Sequence, residues 1–289
     1  MRERRYHGFL RLPAVMIFLA GTSASFLPGA LADMPGDVPD RLRIDLGGMS
    51  SASSTQAAVG STSAGIGATV NFEDVFDIPE GDDVLRFAGS WHFAKRQYLD
   101  FGYVEINRGG SRVLQENIDW GEFVFEAGGR VGATFKADFP YLAWRWDFLQ
   151  LDEVRISGSA GIDYLGLAAS LEAEGNVTDQ EGNAISGEVS EEGSVRFPVP
   201  QLGLQVDWAL TKRLMVKMYT RFMYVDFADA RGSIRESAVR LYWYFSRHVG
   251  IAGGIEQERV DLKEYVSGDT KAQFEYDVSG LTFYLTTAF

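Results

Sequence analysis

The 289-residue chain has no cysteine, three histidines and eight prolines. The missing thiols exclude a disulfide framework and any thiolate metal site or nucleophile, so stability must come from another source. So few prolines leave no room for a long Pro-rich linker, and no internal hinge between domains is visible. After the N-terminal stretch, no segment approaches the roughly 18 consecutive apolar residues of a spanning helix, so transmembrane helices are not expected. Positive charge is also scarce: 27 Lys and Arg stand against 40 Asp and Glu, a formal net of −13. That balance argues against a nucleic-acid partner, because phosphate binding needs a basic face.

The N-terminus differs from the rest. Arg2, Arg4, Arg5 and Arg11 precede a mostly apolar run from Leu12 to Leu27, and Ala30-Leu31-Ala32 follows. Basic start, short apolar run and small residues at the cleavage site are the secretory signature. The expectation is a signal peptide over residues 1–32, cleaved before Asp33, and one domain over 33–289. The leading segment carries +3 and leaves −16 for the remainder.

What is abundant is alternation. Leu85, Phe87, Gly89, Trp91 and Phe93 oppose Arg86, Ala88, Ser90 and His92. Val154, Ile156, Ile162 and Tyr164 oppose Arg155, Ser157 and Asp163, and Leu202, Leu204, Val206 and Trp208 oppose Gln201, Gln205 and Asp207. Leu214, Val216, Met218 and Phe222 oppose Lys217, Tyr219 and Arg221, and Val239, Leu241, Trp243 and Phe245 oppose Glu236, Arg240, Tyr242 and Tyr244. A period of two is strand behaviour. A soluble β-sandwich shares it.

Three features favour a membrane instead. Many segments run about 15 to 20 residues, where globular strands average about 5 to 6. Short connections (Ala94–Gln97, Leu149–Glu153, Leu210–Arg213, Arg247–Val249) alternate with longer ones near Asn117–Arg130, Glu172–Gly193 and Val266–Lys271. Aromatics gather beside the short turns: Trp91, Phe93, Trp144, Trp146, Phe148, Trp208, Trp243 and Phe245. Such rings prefer a membrane–water interface, here the periplasmic one. The expected fold is all-β: a closed antiparallel transmembrane β-barrel with short periplasmic turns and longer extracellular loops. Strand placement gives ten strands, with twelve as the alternative if Gly65–Phe76 is a true strand rather than a hairpin arm above the membrane.

The closing alternation Leu281, Phe283, Leu285 with Phe289 resembles the signal read by the bacterial barrel-assembly machinery, with Thr287 departing from the usual apolar choice. The chain as a whole resembles small bacterial outer-membrane barrels of the porin-like and opacity-type group. The resemblance implies residence in the bacterial outer membrane, with its lipids and lipopolysaccharide as partners. It carries no functional residue.

If the apolar phase meets lipid, the lumen receives Arg86, His92, Asp100, Arg145, Asp147, Arg155, Asp163, Asp207, Lys217, Arg221, Arg240 and Glu256. Both signs in a barrel this small, with bulky Tyr219, Tyr242 and Tyr244, point to a filled interior more than to a diffusion pore. The first functional expectation is a non-enzymatic barrel with a structural or surface-interaction role. A narrow channel for small polar solutes comes second, and a lipid-modifying enzyme third. Ser90 and His92 share a face but stand roughly 7 Å apart along the strand, too far for direct proton transfer. No G-x-S-x-G motif occurs, and no cofactor or metal site is expected. The seven acidic side chains within Glu172–Glu192 read as a solvated loop rather than an ordered cation site.

Overall fold

The computed structural model describes residues 38–61, 65–66, 69–76, 81–179, 181–185, 187–227, 230–267 and 270–289. The expected signal segment lies outside the described residues.

Ten long strands alternate up and down. They are β1 (Leu42–Ser61), β2 (Gly81–Ala94), β3 (Gln97–Val113), β4 (Arg130–Asp138, resuming as Tyr141–Gln150) and β5 (Val154–Glu174). The second half comprises β6 (Glu188–Thr211), β7 (Leu214–Phe227), β8 (Ala230–Tyr244), β9 (Val249–Ser267) and β10 (Thr270–Ala288). Each pairs antiparallel with its chain neighbours, and β1 pairs with β10, so the barrel closes. Closure leaves no free edge around the barrel's waist, which removes the usual hazard of exposed edge strands.

Four short turns lie at one end, hereafter the turn end: 95–96, 151–153, 212–213 and 245–248. At the opposite, loop end, β1–β2, β3–β4 and β5–β6 are joined by long connections. The other two connections there differ from the longer loops expected. β7 and β8 pair up to Phe227↔Ala230, and β9 and β10 up to Ser267↔Thr270. Height at this end comes from the strands themselves.

Gly65–Phe76 is not a barrel strand. Two-residue pieces, Gly65–Ile66 and Val70–Asn71, pair with β1, and a short helix α1 (Phe72–Phe76) follows with Phe72 and Phe76 fully buried. The acidic stretch after β5 is likewise more than a solvated loop. Val177–Asp179 and Ala184–Ile185 join Ile118–Trp120 and Phe123–Phe125 in a small four-stranded sheet. Ile118, Trp120, Phe125 and Val177 turn inward from it as a lid.

The apolar face changes sides halfway up the strands. On β5, Arg155, Ser157 and Asp163 are buried while Ile162 and Tyr164 are exposed; above them Leu165, Leu167 and Leu171 are buried and Glu172 is exposed. On β10, Leu281, Phe283 and Leu285 face outward, whereas Phe274, Tyr276 and Val278 face inward. No register shift separates the halves of the β5–β6 ladder, which runs unbroken from Val154↔Trp208 to Glu174↔Glu188. A one-residue slip would also exchange the faces. Here the backbone is continuous, and it is the surroundings that change.

The loop-end half is packed dry. Phe72 meets Phe76, Trp120 and Phe135 edge-on, and Phe135 meets Tyr276. The wall also folds inward here. β6 leaves β7 beyond Gln201↔Met223, and Gly193 on its upper part closes against Val59 of β1, with no room for a Cβ.

Candidate functional site

Within the turn-end half the inward phase forms a stack of ion pairs and rings. The sequence places these side chains together because the strands bring every second residue to one face. At the bottom, Val38 is buried and Asp40 accepts hydrogen bonds from Arg155 Nη1 at 2.8 Å and from the Tyr98 hydroxyl at 2.9 Å. His92 stacks on Tyr98 at 4.3 Å, with Nδ1 3.7 Å from the Asp40 carboxylate. The segment before β1 thus forms a floor to the lumen.

Above it, Arg145 donates to Asp100 at 2.7 Å, to Asp147 at 3.2 Å and to the Ser90 hydroxyl at 3.0 Å. Its guanidinium lies 3.9 Å from the Tyr98 ring centroid. Asp147 also accepts from the Ser157 hydroxyl at 2.6 Å. Asp45 accepts from Tyr242 at 3.0 Å and Thr286 at 2.6 Å, with Arg43 Nε 3.4 Å away. Asp207 accepts from Gln205 at 2.8 Å.

The uppermost polar layer joins Arg86, Arg240 and Glu256, the last held by both guanidinium groups. Arg240 also donates to the Tyr219 hydroxyl at 2.9 Å, which donates to Glu236 at 2.7 Å. Glu236 pairs with Arg221 at 3.2 Å, and Arg221 lies 4.1 Å from the Tyr141 ring centroid. Asp163 is buried with Oδ2 unpartnered, and Glu258 sits 3.5 Å from Arg86. Buried ions of this kind gain from being paired and cost heavily when stranded. Lys217 is buried and lines a cavity of about 40 Å³ with Arg43, Asp100 and Tyr141, space for about three water molecules.

Sequence reasoning passed over Asp40, Arg43, Asp45, Tyr98, Tyr141, Glu236 as a lumen acid, Glu258, and Tyr284, whose ring centroid lies 4.5 Å from the Arg240 guanidinium. Arg43 and Asp45 were within reach of the same parity rule, since they oppose Ile44 and Leu46 on β1. A second charged group sits in the loop-end half, where Arg108 is held by Glu73 of α1 at 2.5 Å and by Thr55 at 2.9 Å. That pair depends on α1 folding inward, which no local pattern announces.

The Ser90 hydroxyl is engaged by Arg145, and His92 is packed against Tyr98 and Asp40, so the two are not paired with each other. His248 lies in a turn, its Nδ1 2.7 Å from the Ala288 carbonyl. Among the described residues, no group of three His, Cys, Asp or Glu side chains is placed to hold a metal ion.

Outside, the rings beside the short turns are exposed: Trp91, Phe93, Trp144, Trp146, Phe148, Trp208, Trp243 and Phe245. A second set, Tyr103, Tyr164 and Tyr224, is exposed where the outward apolar phase ends, and Tyr103 and Tyr224 donate to Glu105 and Asp226 above them. Between the two sets of aromatics the outward face is mostly apolar, interrupted by the hydrogen-bonded Thr220–Ser237 pair and by Arg235 on β7 and β8. Leu281, Phe283, Leu285 and Phe289 are all exposed on or beside it.

These features define a small, closed, ten-stranded antiparallel barrel with an outward apolar band, of the kind that bacterial outer-membrane proteins adopt. A scan against family models and a search of curated proteins returned no match. Among solved structures, the chain is similar to the outer-membrane protease OmpT from Escherichia coli. The TM-score is 0.56 at 14% identity, with 87% of this chain and 97% of that one covered. The outer-membrane protein OprG from Pseudomonas aeruginosa gives a TM-score of 0.34 at 12% identity, covering 86% of this chain and 97% of that one. The toluene transporter TodX from Pseudomonas putida gives 0.30 at 10% identity, covering 88% of this chain and 91% of that one. The likeness to the protease is one of fold alone.

Proposed function

We propose that this protein is a non-enzymatic, non-conducting barrel of the bacterial outer membrane, with a structural or surface-interaction role. The signal-like N-terminus supports export, and the apolar band between two aromatic rings supports insertion among outer-membrane lipids. The strand-end residues Leu281, Phe283, Leu285 and Phe289 serve assembly by the barrel machinery, and the turn end faces the periplasm.

One observation supports the non-conducting reading: the described interior is filled by side chains at successive heights. The floor at Asp40, Tyr98 and Arg155, the ion-pair stack and the dry aromatic core succeed one another along the described strands, and the cavity beside Lys217 holds only a few waters. Open channels appear at about 16 strands, where side chains no longer fill the bore. The non-enzymatic reading is supported by Ser90 and His92, which are engaged by Arg145 and by Tyr98 rather than by each other.

Purified protein in planar bilayers tests this reading. Seals without discrete conductance steps are expected. Reproducible steps would move the assignment to a narrow channel for small polar solutes.

A further inference from the structure

The charge at the turn end runs against the charge of the chain. Overall the protein is strongly acidic, yet Arg41 and the turn residues Lys95, Arg96, Lys212, Arg213 and Arg247 place six cations on this rim. Among the described side chains on this rim, the exposed acids Asp152 and Glu153 sit in a single turn, while Asp40 beside Arg41 is turned to Arg155 and Tyr98 on the lumen floor. All six cations are exposed, and Lys95, Arg96, Lys212 and Arg213 form no ion pair with the described residues. Their backbone positions are fixed. Arg96 takes a left-handed conformation (φ 61°) in a two-residue turn and its carbonyl accepts from Asp147 N, while Arg213 N donates to the Thr211 hydroxyl.

Height identifies what these cations meet. Phe93 precedes Lys95 by two residues, Trp208 precedes Lys212 by four, and Phe245 precedes Arg247 by two. A strand rises about 3.3 Å per residue, so the cations lie within roughly 7 to 13 Å of the aromatic ring along the strand. Aromatic rings of this kind sit at the headgroup level, and the long Lys and Arg side chains reach the phosphate layer beside them.

We infer that the turn-end rim is a docking surface for anionic phospholipid headgroups of the leaflet in which the turns sit. Phosphate on a monoanionic lipid supplies the counter-charge that the protein itself withholds from this rim. The inference rests on insertion of the apolar band and is indifferent to whether the lumen conducts. A cationic rim under the Trp ring would also fix the depth and tilt of the barrel, since both anchors act at one level.

The full-length processed protein, inserted in vesicles of phosphatidylcholine mixed with phosphatidylglycerol, provides the test. Shallow-brominated forms of each lipid quench the rim tryptophans, and the ratio of quenching gives relative affinity. Wild type is expected to prefer the anionic lipid severalfold at low salt. The preference should fade at about 1 M salt, where the Debye length is about 3 Å. A quadruple variant, Lys95→Gln, Arg96→Gln, Lys212→Gln and Arg213→Gln, should lower the ratio severalfold toward unity, since each cation near such a surface is worth up to about fivefold and only Arg41 and Arg247 remain. Equal quenching by both lipids in wild type, a salt-independent preference or a variant that keeps the wild-type ratio would overturn the inference. So would a rim that binds an acidic soluble protein but shows no lipid preference. Heat-shifted mobility in electrophoresis reports folding and insertion separately. If the quadruple variant fails to fold, Asp152→Asn with Glu153→Gln must raise the anionic preference; an unchanged ratio there contradicts the proposal.

Discussion

Along β5 the turn-end half points Arg155, Ser157 and Asp163 into the barrel and Ile156, Ile162 and Tyr164 away from it. The loop-end half points Leu165, Leu167 and Leu171 inward and Ser170 and Glu172 outward. The same exchange occurs on β10 between Val278 and Leu281. One half is built as a protein dissolved in hydrocarbon, with its charges hidden inside. The other is built as a soluble β-protein, with an aromatic core and a polar surface. A single set of strands serves both because side-chain alternation is a property of the backbone, whereas the choice of face belongs to the solvent on each side. The exchange marks the height at which hydrocarbon gives way to water.

The two interiors should fail differently when disturbed. Arg145→Met leaves Asp100 and Asp147 without their shared cation and should cost about 3–5 kcal/mol, read as a lowered urea midpoint for vesicle-inserted protein. Phe135→Ala in the dry half should cost a similar 3–5 kcal/mol through the cavity it opens against Phe72 and Tyr276. The two should part company when their partners are also removed. Converting Asp100 and Asp147 to apolar residues alongside Arg145→Met should recover much of the loss, while no second truncation rescues Phe135→Ala. Failure of the triple variant to recover stability would show that the stack is more than a set of mutually satisfied charges.

A smaller effect compares the outer faces of one strand. Phe283→Arg places a charge in the apolar band and should cost about 2–4 kcal/mol. Glu275→Gln, on the same face of β10 in the loop-end half, loses only the charge of its exposed pairing with Arg259 and should cost under about 1 kcal/mol. Equal costs in the same unfolding assay would erase the proposed boundary.

The smallest effect concerns the lid. Asp179 accepts from the Asn183 side chain at 2.8 Å and from the backbone N–H groups of Asn183 and Glu181. These bonds, the Asn183 side-chain bond foremost, favour the carboxylate and lower the Asp179 pKa below the usual value. A lowered folded-state pKa stabilises above the unfolded value, and the gain disappears as pH falls through the folded one. The protection of amides in residues 177–179 and 181–185, taken relative to the intrinsic exchange rate at each pH, should therefore fall in acid, and Asn183→Ala should remove most of that dependence. A protection factor unchanged through acid in wild type would disprove the role of this turn.

Much of the turn-end half was legible in the sequence because its alternation is strict and its tryptophans cluster beside short turns. The ten strands and their order followed from continuity and from the positions of those turns. The loop-end half was harder. Leu165, Leu167, Ala169 and Leu171 carry a clean alternation, but on the parity opposite to Ile156 and Ile162. Reading one parity per strand hides the exchange; comparing parities along each strand exposes it. The inward fold of Phe72 and Phe76, the Glu73–Arg108 pair and the assembly of the lid from two separate connections are long-range events. They depend on packing partners far apart in sequence, and a local pattern contains no trace of them.

The absence of native cysteine makes the central claim open to a direct measurement by single-cysteine labelling along β10. In vesicles, Glu275→Cys should react with a water-soluble maleimide, Phe283→Cys only with a lipid-soluble one, and Thr282→Cys, fully buried in the lumen, with neither. Reaction of Thr282→Cys with the water-soluble reagent would reveal an open aqueous bore, and the same reaction at Phe283→Cys would place the apolar band outside the membrane; either result contradicts the account.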